Sequence, residues 1–187
     1  MKKYHVYGLG NALVDTEIKV ADEDLDNLGI EKGLMTLVDE ERQHFLIDNM
    51  QDHLTLSKRA CGGSAANTAV GVAALGGRAG FAGRVHDDVL GHSFIGDIGA
   101  AGVQFTTPPQ TDGAPTASSI VLVTPDAIRS MNTHLGACIE FQPDDIRPQE
   151  VAASKVIYLE GYLFDAPAGP EIFAHAARLA GDHGVQV

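Results

Sequence analysis

The chain has no tryptophan, two cysteines and few aromatic residues, and no apolar run long enough to cross a bilayer, which takes about 20 residues. Cys61 and Cys138 are too few and too far apart for a disulfide framework or a thiolate metal cluster, so both read as reduced and structural. Basic residues are scarce: 13 Lys and Arg stand against 25 Asp and Glu, a formal net charge of -12. That balance excludes a surface dedicated to nucleic acid, which needs clustered cations. It leaves a nucleoside or nucleotide in a pocket open, because a pocket can differ locally from the whole. Met1-Lys2-Lys3-Tyr4-His5-Val6 passes directly into a strand-like run rather than an export signal, so no membrane association and a cytoplasmic location are expected.

Other absences narrow the chemistry. The eight histidines, His5, His44, His53, His86, His92, His134, His175 and His183, are dispersed. They contain no HExxH arrangement, which removes a zinc or histidine-based hydrolase. Gly8-Leu9-Gly10 lacks the third glycine of the dinucleotide fingerprint, and no glycine-rich loop ends in Lys-Ser/Thr. An NAD-linked dehydrogenase is therefore a distant reading. Asp87-Asp88 and Asp144-Asp145 are paired acids whose positions suit caps or solvent better than catalysis.

What remains is a chain of 187 residues, 44% apolar, enough for one sizeable core. Hydrophobic periodicity predicts strands over Tyr4 to Leu9, Asp15 to Val20, Leu34 to Val38, Ala79 to Gly83 and Lys155 to Leu159, with Val185 to Val187 opening another. Helices are expected from an Asp39 cap to about Asn49, and from a Ser64 cap to Leu75 with Gly77 ending it. Two more are expected: Asp88 to Ile98, interrupted by Gly91 and Gly96, and Pro170 to Ala180. Ser118 to Thr124 and Arg129 to Thr133 flank Pro125-Asp126-Ala127 in a hairpin pattern, and hairpins on such a body often act as covers. The alternation predicts a mostly parallel sheet with helices on both faces and a ligand beyond the carboxyl ends of its strands.

The most informative stretch is Cys61-Gly62-Gly63-Ser64-Ala65-Ala66-Asn67, a tight glycine turn feeding a helix. Gly62 and Gly63 let backbone N–H groups approach a ligand, and Asn67 offers an amide from the first turn. The bland alternative is a tight strand-to-helix joint. Asn11 and Asp15, an amide and a carboxylate four residues apart, suit a pair of vicinal hydroxyls, or equally local turn bonding. Glu160, at a strand end before Gly161, could bond a sugar hydroxyl, orient a catalytic shell or form a salt bridge. Arg129 in the hairpin could neutralise a transferring phosphate if the cover closes, or be solvated.

Several separated stretches resemble, in order, the ribokinase-like carbohydrate and purine kinase family, with most likeness to adenosine kinases. They are Gly8-Leu9-Gly10-Asn11-Ala12-Leu13-Val14-Asp15, Gly62-Gly63-Ser64-Ala65-Ala66-Asn67 and Gly80-Phe81-Ala82-Gly83-Arg84-Val85-His86-Asp87-Asp88-Val89-Leu90-Gly91. Pro115-Thr116 to Ala137 and Glu160-Gly161-Tyr162 complete the set. The resemblance implies an α/β, Rossmann-like ribokinase-type sandwich with a small β-sheet lid from about 15–20, 34–38 and 118–133. It implies that Asp15 binds a sugar diol with Gly63 and Asn67, that Asn11, Ser64 and Ser119 lie near the base or ring, and that Tyr162 stacks nearby. Arg129 would serve the phosphate end. The implied reaction is ATP- and Mg2+-dependent phosphorylation of a primary hydroxyl on a nucleoside, with adenosine first. A ribose- or fructose-type sugar kinase and a catalytically incomplete binding module are the alternatives, and a monomer or a lid-mediated homodimer is expected.

The family's Asn-x-x-Glu segment and its Gly-Ala-Gly-Asp motif, which supplies the general base, do not occur in this sequence. The resemblance thus implies that residues 1–187 correspond to the N-terminal, acceptor-binding part of such a kinase, inactive by itself.

Overall fold

The computed structural model describes residues 2–54 and 57–187, apart from the side chains of Asp52, His53 and Asp165. His53, one of the dispersed histidines, is thus left without a side-chain account. In chain order the elements are strands β1 (Tyr4–Leu9) and β2 (Leu13–Lys19), helix α1 (Asp22–Leu28), strand β3 (Met35–Leu37), and helices α2 (Glu40–Asn49) and α3 (Gln51–Leu54). Strand β4 (Lys58–Gly62), helix α4 (Ser64–Ala74), strand β5 (Ala79–Ala82), helix α5 (Val89–Ala100) and strand β6 (Val103–Phe105) follow. The hairpin β7 (Ala117–Val123) and β8 (Arg129–His134), helix α6 (Pro148–Ala152), strand β9 (Ser154–Leu159) and helix α7 (Gly169–Asp182) complete the series.

Two sheets result. The first is parallel, in the order β6-β5-β1-β9, and its strands are covered by helices on both sides. On one face Phe81, Ala79 and Val103 pack against Ala65, Ala66 and Ala69 of α4 and Phe94 and Ile98 of α5. The run of alanines on α4 is what lets its backbone lie close to β1 and β5. On the other face Tyr7, Leu9 and Ile157 meet Val151 of α6 and Ile172, Ala176 and Ala180 of α7. A parallel sheet buried on both faces needs continuous apolar strands, which the all-buried Ala79–Ala82 segment provides.

The second sheet is mixed, in the order β3-β8-β7-β2-β4. β2 runs parallel to β7 and antiparallel to β4, with Asp15 opposite Ser119 on one side and Ala60 on the other. One face is closed by Ile18, Val20, Ile120 and Leu122 packing on Leu25 and Leu28 of α1 and Leu46 of α2. Side chains alternate across a strand, so Asp15 and Ser119 belong to the opposite face.

The structure corrects several local expectations. Gly63, not Ser64, is the N-cap of α4, and the helix stops at Ala74 with Gly76 taking the left-handed turn (φ 82°) ahead of Gly77. Gly91 and Gly96 do not interrupt α5: Asp88 accepts from the Gly91 N–H as N-cap, and the helix runs unbroken to Ala100. β4 and α1 carry no strong periodicity and emerge only in the fold. β4 completes the second sheet beside β2, so that sheet contains a strand beyond the 15–20, 34–38 and 118–133 segments.

Candidate functional site

The chain leaves β1 at Leu9, crosses through Asn11 and enters the second sheet at Leu13. It returns from β4 through Gly63 into α4. These crossings lie side by side. Gly63 has φ 102°, and a Cβ there would sit 2.2 Å from the Asn11 carbonyl oxygen. Both the left-handed backbone and that contact demand glycine. A Cβ on Gly62 would meet Asp15 Oδ2 at 2.7 Å, so the missing side chain makes room for the carboxylate.

Asp15 is half-buried on the open face of the second sheet. Burial pushes its carboxyl above the ordinary value of 3.8, Arg129 pulls it partly back, and Glu17 adds to the rise. Arg129 is exposed and lies on the same face, four residues along β8 from Thr133, which sits opposite Ser119. The arrangement places a carboxylate at one end of a strip and a guanidinium at the other.

Glu160 organises the corner from below. It is 2% exposed at the carboxyl end of β9. Its Oε1 accepts from the Asn11 N–H at 3.2 Å. Its Oε2 accepts from the Ala65 N–H at 2.8 Å and from the Ser64 hydroxyl at 2.9 Å. An anion at the first turn of α4 suits the N–H groups left unpaired there. Glu160 therefore ties β1, β9 and α4 together. Ser64 spends its hydroxyl on Glu160 rather than capping α4.

The other candidates fall as follows. Asn11 is 8% exposed in the crossing. Asn67 is exposed on the first turn of α4, where its N–H bonds the Gly63 carbonyl. Ser119 is buried beside Asp15, and its hydroxyl lies 2.9 Å from that of Thr133, so it braces β7 against β8. Tyr162 is 62% exposed on the short 3₁₀ turn Gly161–Asp165 beyond β9. Asn11, Asp15, Gly62, Gly63, Ser64 and Glu160 are thus assembled in one corner.

Sequence reading missed a junction on the β7 side. The Asp88 carboxylate caps α5 and also accepts from the Thr116 N–H at 2.9 Å and the Thr116 hydroxyl at 2.8 Å. The His86 N–H donates to that same Thr116 oxygen. This anchors the strand entering β7 to the parallel sheet. An Asp placed three residues before a helical glycine was the available signal.

Among the described residues no three His, Cys, Asp or Glu side chains converge as metal ligands. No described helix is long and apolar enough to cross a membrane.

Residues 34–187 match the family model described as pfkB family carbohydrate kinase. The fold is similar to that of the adenosine kinase from Sinorhizobium meliloti, with 47% identity and a TM-score of 0.88 over 98% of this chain and 55% of that one. It is equally similar to a probable sugar kinase from Rhizobium etli CFN 42, with 44% identity and a TM-score of 0.90 over 99% of this chain and 55% of the other. Among curated relatives, probable fructokinase-4 of Arabidopsis thaliana is 31% identical over 107 residues, which is 54% of this chain and 31% of that protein. The 5-dehydro-2-deoxygluconokinase of Bacillus velezensis is 28% identical over 141 residues, or 74% of this chain and 42% of that protein. The chain thus spans less than half of these curated relatives and a little over half of the two solved structures. With a matching fold and a family model covering most of its length, this chain belongs to the pfkB family of carbohydrate kinases.

Proposed function

We propose that the whole protein transfers a phosphoryl group from ATP to the primary hydroxyl of a nucleoside, adenosine first. The observation that carries this reading is the Asp15 carboxylate, seated against Gly62 next to the Gly63 turn. A carboxylate accepts from both hydroxyls of a vicinal diol at once, and the Gly63 N–H and Asn67 amide supply donors to the same oxygens. The other end of the strip, at Arg129, suits the phosphate, where a guanidinium stabilises charge that develops during transfer. When bound, ATP would supply the phosphoryl group, and magnesium, which such kinases usually use, would neutralise its charge. The second sheet acts as a lid on this reading, and its closure excludes water as a competing acceptor.

Similarity to the Sinorhizobium meliloti adenosine kinase at 47% identity favours the nucleoside. A free-sugar acceptor is the second reading, favoured by the Arabidopsis fructokinase and Rhizobium etli sugar kinase likenesses. The test is ADP release by the full natural polypeptide with adenosine, 2′-deoxyadenosine, ribose and fructose. Adenosine should exceed both sugars in kcat/KM by more than about tenfold, and loss of the 2′-hydroxyl should cost a similar factor. Preference for ribose or fructose overturns the nucleoside assignment. The 187-residue chain alone should bind adenosine weakly and release no ADP.

A further inference from the structure

On the face of the second sheet away from Asp15, a cavity of about 460 Å³ opens between the α1–β3 connection, β3 and the start of α2. Its position follows from register. Asn132 lines it and sits opposite Ile120, whose side chain packs with α1 and α2, whereas Asp15 sits opposite Ser119.

Two side chains make this cavity more than a surface dent. Asn132 is 3% exposed, and its amide nitrogen is buried with no hydrogen-bond partner. An orphaned buried donor costs free energy unless something in the adjoining space accepts from it. Arg42 also lines the cavity. Its guanidinium lies 5.0 Å over the Phe45 ring and gives one N–H to the Leu28 carbonyl, leaving further donors of its planar fork. Ile30 and Leu37 add apolar wall, and Glu31 and Asp39 also line the cavity.

We propose that this cavity is a second binding site, separate from the Asp15 corner, for a small organic monocarboxylate with an apolar body. The donors fix the chemistry. Arg42 offers the paired N–H geometry that matches a carboxylate, and Asn132, which lines the same cavity, holds an unpartnered buried amide donor beside it. Glu31 and Asp39 repel a dianion about twice as strongly as a monoanion, so a phosphate is the poorer occupant. The volume lies within the range of about 300–1,000 Å³ usual for small-molecule sites. The site stands independently of the kinase assignment, since no residue is shared with the corner.

Benzoate is a suitable probe, titrated into the protein and followed by backbone amide resonances, with benzyl alcohol as its uncharged counterpart. Saturable shifts are expected at Leu37, Val38 and Arg42, without matching shifts at Gly62 to Asn67. Benzyl alcohol should bind more weakly by about tenfold or more, the worth of a charge-assisted bond. Asn132→Leu keeps the shape and removes the donor, while Arg42→Gln removes the charge. Each should weaken benzoate by about tenfold and leave the alcohol unchanged. Equal affinity for the two probes, unchanged affinity in both variants, or shifts centred on the Asp15 corner would each overturn the proposal. Adenosine at saturation should leave benzoate affinity intact, and competition between the two would also sink it.

Discussion

Asp15 carries the largest consequence for a single side chain. It is held ionised beside Gly62 at a cost, because burial raises its pKa. A raised carboxyl pKa means the folded state is penalised once the group ionises: the penalty is absent below 3.8 and grows as pH rises through the folded value. Asp15→Asn should therefore raise the melting temperature at pH 7, and that gain should vanish in scans taken below pH 3.8. Phosphotransfer should fall in the same variant by about 10³-fold, since the diol loses its charged acceptor. An active variant, or one whose stability gain is the same at both pH values, would remove Asp15 from this role. Arg129→Ala should lower kcat by about 10²–10³ with little change in acceptor KM, because its charge serves the transition state rather than the sugar. A variant in which acceptor KM rises while kcat holds would place Arg129 at the sugar instead.

Between elements, two carboxylates do the joining, Glu160 buried and Asp88 partly exposed. Glu160 connects three elements through the Asn11 and Ala65 N–H groups and the Ser64 hydroxyl. Glu160→Ala orphans two buried N–H groups and should cost about 2–4 kcal/mol in urea unfolding. A cost under about 1 kcal/mol would show that water replaces the carboxylate there. Asp88 joins α5 to the entry of β7. Burial opposes its ionisation, but the Thr116 and Gly91 N–H groups and the Thr116 hydroxyl outweigh it and hold the carboxyl below 3.8, with His86 adding to the effect. A depressed pKa stabilises the fold above the unfolded value and is lost as pH falls through the folded one. Asp88→Asn should therefore be less stable than the parent chain at pH 7, and that deficit should shrink below pH 3.8. A pH-independent deficit would mean that shape rather than charge holds the junction. Strand β4 is the element the sequence conceals. Lys58-Arg59-Ala60-Cys61 shows no alternating apolar pattern, because an edge strand over an open cleft buries little on either side. Pairing with β2 makes it a strand. The 3.6-residue pattern of α2 and the Asp39 cap, by contrast, are local and were readable directly, as was the hairpin turn at Ala127.

On the scale of the 187-residue chain, β9 and β3 are the sheet margins that carry exposed apolar side chains. Among the described residues, β9 is the outermost strand of the parallel sheet and is bridged from Val156 to Gln186 on its outer side. Tyr158, Tyr162 and Phe164 are exposed along and beyond it. At the other sheet, β3 is an edge strand with Met35 and Leu37 exposed. Unpaired edges flanked by apolar side chains invite pairing with another chain. The 187-residue chain should self-associate and show poor solubility, with β9 as the stronger edge because it adds aromatic surface. Light scattering should show Tyr158→Lys reducing association more than Leu37→Lys does. If Leu37→Lys is the more effective, the second sheet is the interface, in line with a lid-mediated dimer. A monomer that unfolds cooperatively would remove both.

The sequence by itself determined the α/β alternation, the glycine turn into α4 and the residue types of the corner. Each of these depends on neighbours within a few positions, through periodicity, caps and the special backbone of Gly63. Only the tertiary structure decided that Glu160, 149 positions from Asn11, lies beneath both crossings and is spent on holding them. It likewise decided that Ser64 and Ser119 serve as braces and that Asp88 reaches Thr116. It also left Asn132 with an unpartnered buried donor beside a cavity. These outcomes turn on which strand lies beside which. A carboxylate or hydroxyl carries no mark in the sequence of whether its partner will be a ligand or a distant N–H brought close by sheet register.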